Sequence, residues 1–508
     1  MSALFHLDRD SHAATLQKQI REQLVTAILG GFLPLDEPLP SSRRLAKSLN
    51  VARNTIVLVY DELAADGYLI SRERSGYFVD PSFLPDMAEN EHNDATEEHC
   101  EKVDWSRKLK IKPHTQPNPT QAHAWQSYPY PFVYGQLSSQ LFPIENWRKC
   151  WRDAVSVQAI RDWTSDRYDS DDPMLIEQIQ KRILPSRGIQ AEKDEILITI
   201  GSQQAIYLVA QLLLDSSSKF GIEDPGYTSA AHIAAVQGAE VVSLPVDEDG
   251  LIVDEKLNPC DALYITPSYQ CPTTVTMPLS RRQQLLEQAR KEDFVIIEDD
   301  YEMEMNYDCN PTPALKSLDH YDRVLYIGSL SKTLAPGLRM GFMVGPKALI
   351  QEARNLRQLM LRHPPLNNQR AVALFLAQGY HDALLRRLAR TFQKRSDIMA
   401  AALDRYMPGC YTRPRGGSSF WCKLPESLDA ARVKSEAARN GLLIISGDSY
   451  HYGDHLPNNF IKLGFSAIAE EAIEPGIQKL AKLIAELREQ QNSESASATS
   501  KQHLKLVR

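Results

Sequence analysis

Residues 328–341 read Gly328-Ser329-Leu330-Ser331-Lys332-Thr333-Leu334-Ala335-Pro336-Gly337-Leu338-Arg339-Met340-Gly341. A lysine preceded by Ser329 and Ser331 and followed by Arg339 combines one imine-forming amine with hydroxyls and a guanidinium suited to a phosphate. Most lysines only solvate a surface; the surrounding motif sets this one apart. Upstream, Phe294-Val-Ile-Ile-Glu-Asp-Asp-Tyr301 reads as a buried strand ending in acids. Strand alternation puts Val295, Ile297, Asp299 and Tyr301 on one face. A buried carboxylate at the carboxyl end of such a strand can pair with a protonated ring nitrogen. The alternation selects Asp299, with Asp300 as the alternative.

Further strand ends point the same way. Glu195-Ile-Leu-Ile-Thr-Ile200 runs into Gly201-Ser202-Gln203-Gln204 and a helix, whose free N–H groups can hold a phosphate. Glu223-Asp-Pro-Gly-Tyr227 offers Tyr227 for stacking on a flat ring. Tyr264-Ile-Thr-Pro-Ser-Tyr-Gln-Cys-Pro-Thr273 offers Gln270 as a hydrogen-bond donor to a ring hydroxyl. From Trp125 to about Arg488 short apolar strands alternate with amphipathic helices, which predicts an α/β domain over 124–488 around a largely parallel sheet.

Ahead of this domain, residues 12–80 form a separate patterned unit. Leu16, Ile20, Leu24 and Ile28 share a helical face that ends at Gly30-Gly31. Ser41 is placed to cap a second helix, and a turn at Asn50-Val51 leads to a third over 53–65. So short a turn between helices is helix-turn-helix geometry. Tyr68-Leu-Ile70 and Tyr77-Phe-Val79 are strand-like, joined by the wing Ser71-Arg-Glu-Arg-Ser-Gly76. Residues 81–123, polar and rich in acids, read as a linker, and 489–508 as a disordered tail.

Gly31-Phe-Leu33-Pro34, Leu39-Pro-Ser41, Arg44-Leu-Ala46, Asn54-Thr55, Tyr60-x-x-Leu63 and Gly67-Tyr-Leu69 resemble the winged helix of the GntR family of bacterial regulators. The resemblance implies double-stranded DNA as partner, contacted by Arg43, Arg53, Asn54 and Thr55 at the recognition helix and by Arg72 and Arg74 in the wing. Arginine's fork suits phosphate and guanine edges. The larger domain resembles a fold-type-I aminotransferase dependent on pyridoxal 5′-phosphate (PLP). That resemblance implies Lys332 as the Schiff-base lysine, Asp299 at the pyridine nitrogen and Tyr301 near the ring hydroxyl. It also implies Ser202, Gln203, Ser329 and Arg339 around the phosphate. Taken whole, the chain resembles the MocR subfamily of GntR-type regulators, which implies a homodimer presenting two winged helices to paired half-sites.

Departures from that pattern bear on function. Lys462, in Ile461-Lys462-Leu463-Gly464, stands where aminotransferases carry an arginine that clamps a substrate carboxylate. Lysine keeps the charge but loses the bidentate fork. An effector is thus expected at Lys462, or held by Arg413 or Arg415 instead. Ala52, Leu35, Asp36, Arg74, Tyr269, Thr274 and the Asp171-Asp-Pro-Met174 segment also depart. The expected function is a transcriptional regulator sensing an amine effector or PLP itself; the alternative is a working aminotransferase with an appended DNA module.

With 43% hydrophobic and 24% charged residues the chain reads as soluble and globular. Its formal net charge of −8 demands that any DNA contact come from a local basic patch. No apolar run nears the roughly 18 residues of a membrane span. The seven cysteines show no metal-ligand spacing, so no metal is expected and a reducing cytoplasm is.

Overall fold

The computed structural model describes residues 7–9, 15–72, 75–83, 103–111, 113, 124–135, 140–165, 169–302, 304, 312–332, 334–453 and 459–506, with side chains as far as residue 492, Phe83 excepted. The chain divides into two compact units, Met1–Lys108 and Leu109–Arg508. Most of the expected linker, and Arg74 of the expected wing, lie outside the described residues.

In the first unit, helices α1 (Leu16–Leu29), α2 (Ser42–Leu49) and α3 (Arg53–Ala65) precede a hairpin of β1 (Leu69–Arg72) and β2 (Gly76–Val79). The Ser41 hydroxyl accepts from the Arg44 N–H at 3.4 Å and caps α2. Asn50 closes that helix in the left-handed conformation (φ 52°), so the chain reverses at once into α3. Ile20, Leu24, Leu45, Ile56, Tyr60 and Leu63 meet in one buried core. That core fixes α2 against α3 and leaves the opposite face of α3 to solvent.

The second unit is built on eight strands in the order β4-β11-β10-β9-β8-β5-β6-β7. These are β4 (Ile196–Thr199), β5 (Lys219–Asp224), β6 (Glu240–Asp247), β7 (Gly250–Leu251), β8 (Ala262–Ile265), β9 (Val295–Asp300), β10 (Val324–Ser329) and β11 (Gly341–Val344). The first of its strands in chain order, β3 (Tyr130–Pro131), pairs instead with β13 (Leu442–Leu443). The run from β10 to β6 is parallel, whereas β11 is antiparallel to both of its neighbours. Both sheet faces are covered, so the strands read as continuous apolar runs. Ile196, Ile198, Tyr326 and Phe342 pack on one side, and Leu197, Leu325, Ile327 and Met343 on the other. A smaller sheet of β12 (Ser419–Lys423), β15 (Phe460–Gly464) and β14 (Ile445–Ser446) follows.

The last helix, Glu470–Leu506, differs from expectation. A disordered tail was expected from residue 489, yet the helix continues to Leu506. Its Glu, Gln, Lys and Ala residues are good helix formers. Among the residues with described side chains, the buried stripe of this helix comprises Ile473, Ile477, Leu480, Ile484 and Leu487.

Candidate functional site

Parallel strands and the helices that follow them leave a crevice at the strands' carboxyl ends. There, helix α4 (Ser202–Leu213) starts straight after β4 through Gly201, whose φ is +74°. A Cβ at Gly201 would lie 2.6 Å from Nη2 of Arg339. Arg339 also donates to the Ile200 carbonyl at 3.3 Å. A guanidinium thus stands over the unpaired N–H groups of a helix start, a combination suited to a phosphate. Gln203 Oε1 accepts from the Tyr227 hydroxyl at 2.6 Å and ties that first turn to Tyr227. Ser329, buried at the end of β10, lies opposite Gly341. Ser331 accepts from the Met340 N–H at 2.9 Å and donates to the Met340 carbonyl at 3.1 Å, which braces the Lys332 loop.

Asp299 and Asp300, neighbours at the end of β9, face opposite sides. Asp300 accepts from Arg187 at 2.8 Å and from the Tyr326 hydroxyl at 3.0 Å, a wholly buried structural pair. Asp299 accepts only from the Tyr264 hydroxyl, at 2.7 Å on Oδ2; its Oδ1 is buried with no hydrogen-bond partner among the described residues. Burial pushes the Asp299 carboxyl from its ordinary 3.8 up to about 7. A buried carboxylate oxygen in want of a donor is what a protonated pyridine nitrogen would satisfy. The donor set therefore fits PLP.

Lys332 completes the chamber. Its Nζ lies 4.7 Å from the ring centroid of Tyr134. Gly135 makes room for it: with φ +71°, a Cβ there would come 2.8 Å from that nitrogen. Burial lowers the Lys332 ammonium from its usual 10.5; Glu302 opposes the shift and Lys462 adds to it. Lys462, central in β15 between Trp421 and Ile445 of its neighbours, is wholly buried. Its Nζ sits 3.7 Å from the Tyr134 centroid and 5.1 Å from that of Tyr450, with no hydrogen-bond partner among the described residues. Of the other expected clamps, Arg413 is exposed and paired with Asp397 at 2.5 Å, and Arg415 is exposed.

Gln270 departs from expectation. Its amide nitrogen donates to the carbonyls of Pro225 and Cys271, at 2.8 and 2.9 Å, and its oxygen accepts from Thr273. Both donors are used, so Gln270 braces the loop and has none left for a ring hydroxyl. The side chain brought into the chamber is Cys271, its thiol pushed up by burial and pulled back by Lys462 and Lys332. Tyr301 donates to the Tyr269 carbonyl at 2.8 Å and packs edge-on against Tyr134. Sequence reasoning missed Cys271, Tyr134, Tyr264 and Glu302. Tyr264 alone left a signal, as a polar-tipped residue in an otherwise apolar strand. Asp171, in the segment lacking a glycine, is bound by Arg354 and Arg357 and serves the fold.

In the first unit Arg43, Arg53 and Asn54 are exposed and Thr55 half-buried, around the start of α3. Arg53 Nε donates to the Ser42 hydroxyl at 3.4 Å, which links the two helices of the motif. Arg72 stands 4.4 Å above the Phe78 ring on the hairpin.

The family model for bacterial regulatory proteins of the gntR family matches residues 16–79, and that for aminotransferases of class I and II matches residues 135–480. A curated relative, the HTH-type transcriptional regulator TauR of Rhodobacter capsulatus, is 38% identical over 471 residues, covering 92% of this chain and 96% of that one. The probable rhizopine catabolism regulatory protein MocR of Rhizobium meliloti is 29% identical over 479 residues, covering 93% and 94%. Among solved structures, a Pyrococcus horikoshii kynurenine aminotransferase superposes with a TM-score of 0.69 at 28% identity, over 75% of this chain and 98% of that one. The α-aminoadipate aminotransferase LysN of Thermus thermophilus, solved with N-(5′-phosphopyridoxyl)-L-leucine, gives 0.68 at 28% identity, over 76% and 99%. Fold and site together define a PLP-binding, HTH-type transcriptional regulator with an aminotransferase-like domain. The chain belongs to the GntR family, among its MocR-like members that carry an aminotransferase class I and II domain.

Proposed function

We propose that this regulator acts as a cytoplasmic homodimer, reads a double-stranded operator through its winged helices, and senses a small amine bearing an anionic group. One observation carries the effector class: Lys462 is buried, has no hydrogen-bond partner among the described residues, and shares the Tyr134 ring with Lys332. A buried cation left so calls for an anion. When bound, PLP supplies an electrophilic aldehyde carbon and an electron-poor ring. Lys332 would be the amine that holds it, and Asp299 would hold the pyridine nitrogen. Arg339, Ser202, Gln203 and Ser329 would take the phosphate, and Tyr227 would lie against the ring. An effector amine competing with Lys332 for its place, its anion held by Lys462, would alter the contacts around Tyr134, the differential interaction a conformational switch requires.

The test is a visible absorbance spectrum of the protein with PLP, beside Lys332→Ala, followed by titration with amines that do and do not carry a carboxylate or sulfonate. A band lost in the variant, and shifted only by the anionic amines, supports the reading. Steady turnover of an amino acid and a keto acid would instead mark a working aminotransferase.

A further inference from the structure

Beside the Lys332 chamber lies a cleft of about 480 Å³ that the site above does not use. Asp224, at the end of β5, and His451 both line it. Asp224 Oδ1 is 2.7 Å from His451 Nδ1. The His451 side chain is only 6% exposed, and its Nε2 has no hydrogen-bond partner among the described residues. An imidazole that gives its Nδ1 proton to a carboxylate presents a lone pair at Nε2, which accepts from a ligand.

The rest of the lining specifies that ligand. Trp421 and Phe460 stack with an interplanar angle of 7° and centroids 5.3 Å apart, forming an apolar wall. Asp247, bound to Arg281, and the exposed Glu248 add carboxylates at the rim, and no lysine or arginine is among the described lining residues. Aromatic faces and carboxylates together favour a cation with an apolar body. We infer that this cleft binds an organic ammonium ion, which donates an N–H to His451 Nε2 and lays its apolar part on Trp421 and Phe460. The inference goes beyond the regulator reading and does not depend on it. The two compartments share a wall: Trp421 meets the Tyr450 ring edge-on at 5.8 Å, and His451 is the next residue along the chain.

The probe is N,N-dimethylbenzylamine, a tertiary amine that is protonated at neutral pH and cannot form an imine with PLP. Its binding to the full-length, PLP-loaded protein is measured by calorimetry. Saturable binding is expected, retained in Lys332→Ala and weakened about tenfold or more in His451→Leu by loss of one charge-assisted hydrogen bond. Benzyl alcohol, an uncharged benzyl compound, is expected not to compete. No saturable binding, equal affinity in His451→Leu, or loss of binding in Lys332→Ala overturns the inference. Should His451→Leu fail to fold, the exposed Glu248→Gln decides: affinity lowered about threefold supports the site, and unchanged affinity overturns it.

Discussion

The Tyr264 hydroxyl donates to Oδ2 of Asp299 at 2.7 Å while Oδ1 of the same carboxylate stays buried without a partner among the described residues. The tyrosine aims the acid and leaves its other oxygen for the donor proposed above, the pyridine nitrogen. Asp299→Asn should therefore weaken PLP binding by about tenfold or more, since a charge-assisted bond becomes a neutral one. Titrating the visible band with PLP checks this; an unchanged dissociation constant would remove Asp299 from the ring nitrogen.

The same residue predicts a pH dependence. Its pKa rises from 3.8 to about 7 on folding, mainly through burial, so between those values the PLP-free folded state binds more protons than the unfolded one. Stability then falls as pH rises through that window. Glu223 and Glu298, also raised to about 7 by burial, add to the slope. The melting temperature of the PLP-free protein should decline from about pH 5 to pH 7.5. Asp299→Asn should flatten part of that decline, and an equally steep decline in the variant argues against the assignment.

Asp300 should behave differently from its neighbour. Arg187→Met leaves the Asp300 carboxylate buried and without its ion pair, which costs about 3–5 kcal/mol of stability. Denaturant unfolding should register that loss in PLP-free protein, where cofactor affinity plays no part.

Lys462→Met removes a positive charge that helps keep Lys332 deprotonated. The variant should still form the PLP band, but the pH at which the band forms fastest should move upward. It should also lose its spectral response to anionic amines. A variant that responds like the parent would show that Lys462 holds no effector group.

On the DNA side, Arg53→Ala should weaken operator binding and lower the slope of log K against log salt by about one, the signature of one lost phosphate contact. The PLP spectrum should not change. Binding measured across a salt series separates this from a general loss of structure.

The parts of the site that obey a repeat were legible from sequence. Alternation along β9 put Asp299 on the face of Ile297, and the structure turns that face toward Tyr264 and the chamber. The caps and apolar stripes around Ser41 and over residues 53–65 likewise mark helices where α2 and α3 begin and end. Loops obey no such repeat. After β8 the chain bends so that Gln270 turns into its own loop and Cys271 takes the inward place. Tyr134 reaches the chamber from a segment about two hundred residues before Lys332, and only tertiary packing joins them.

Tyr134 also acts as a ruler. Both lysine nitrogens rest over its single ring, one 4.7 Å and the other 3.7 Å from the centroid, so they stand no farther apart than those two spans laid end to end. A molecule that must put its amine where Lys332 was and its anion on Lys462 can carry only a few bonds between the two. On the proposed reading, length as well as charge would sort the effectors.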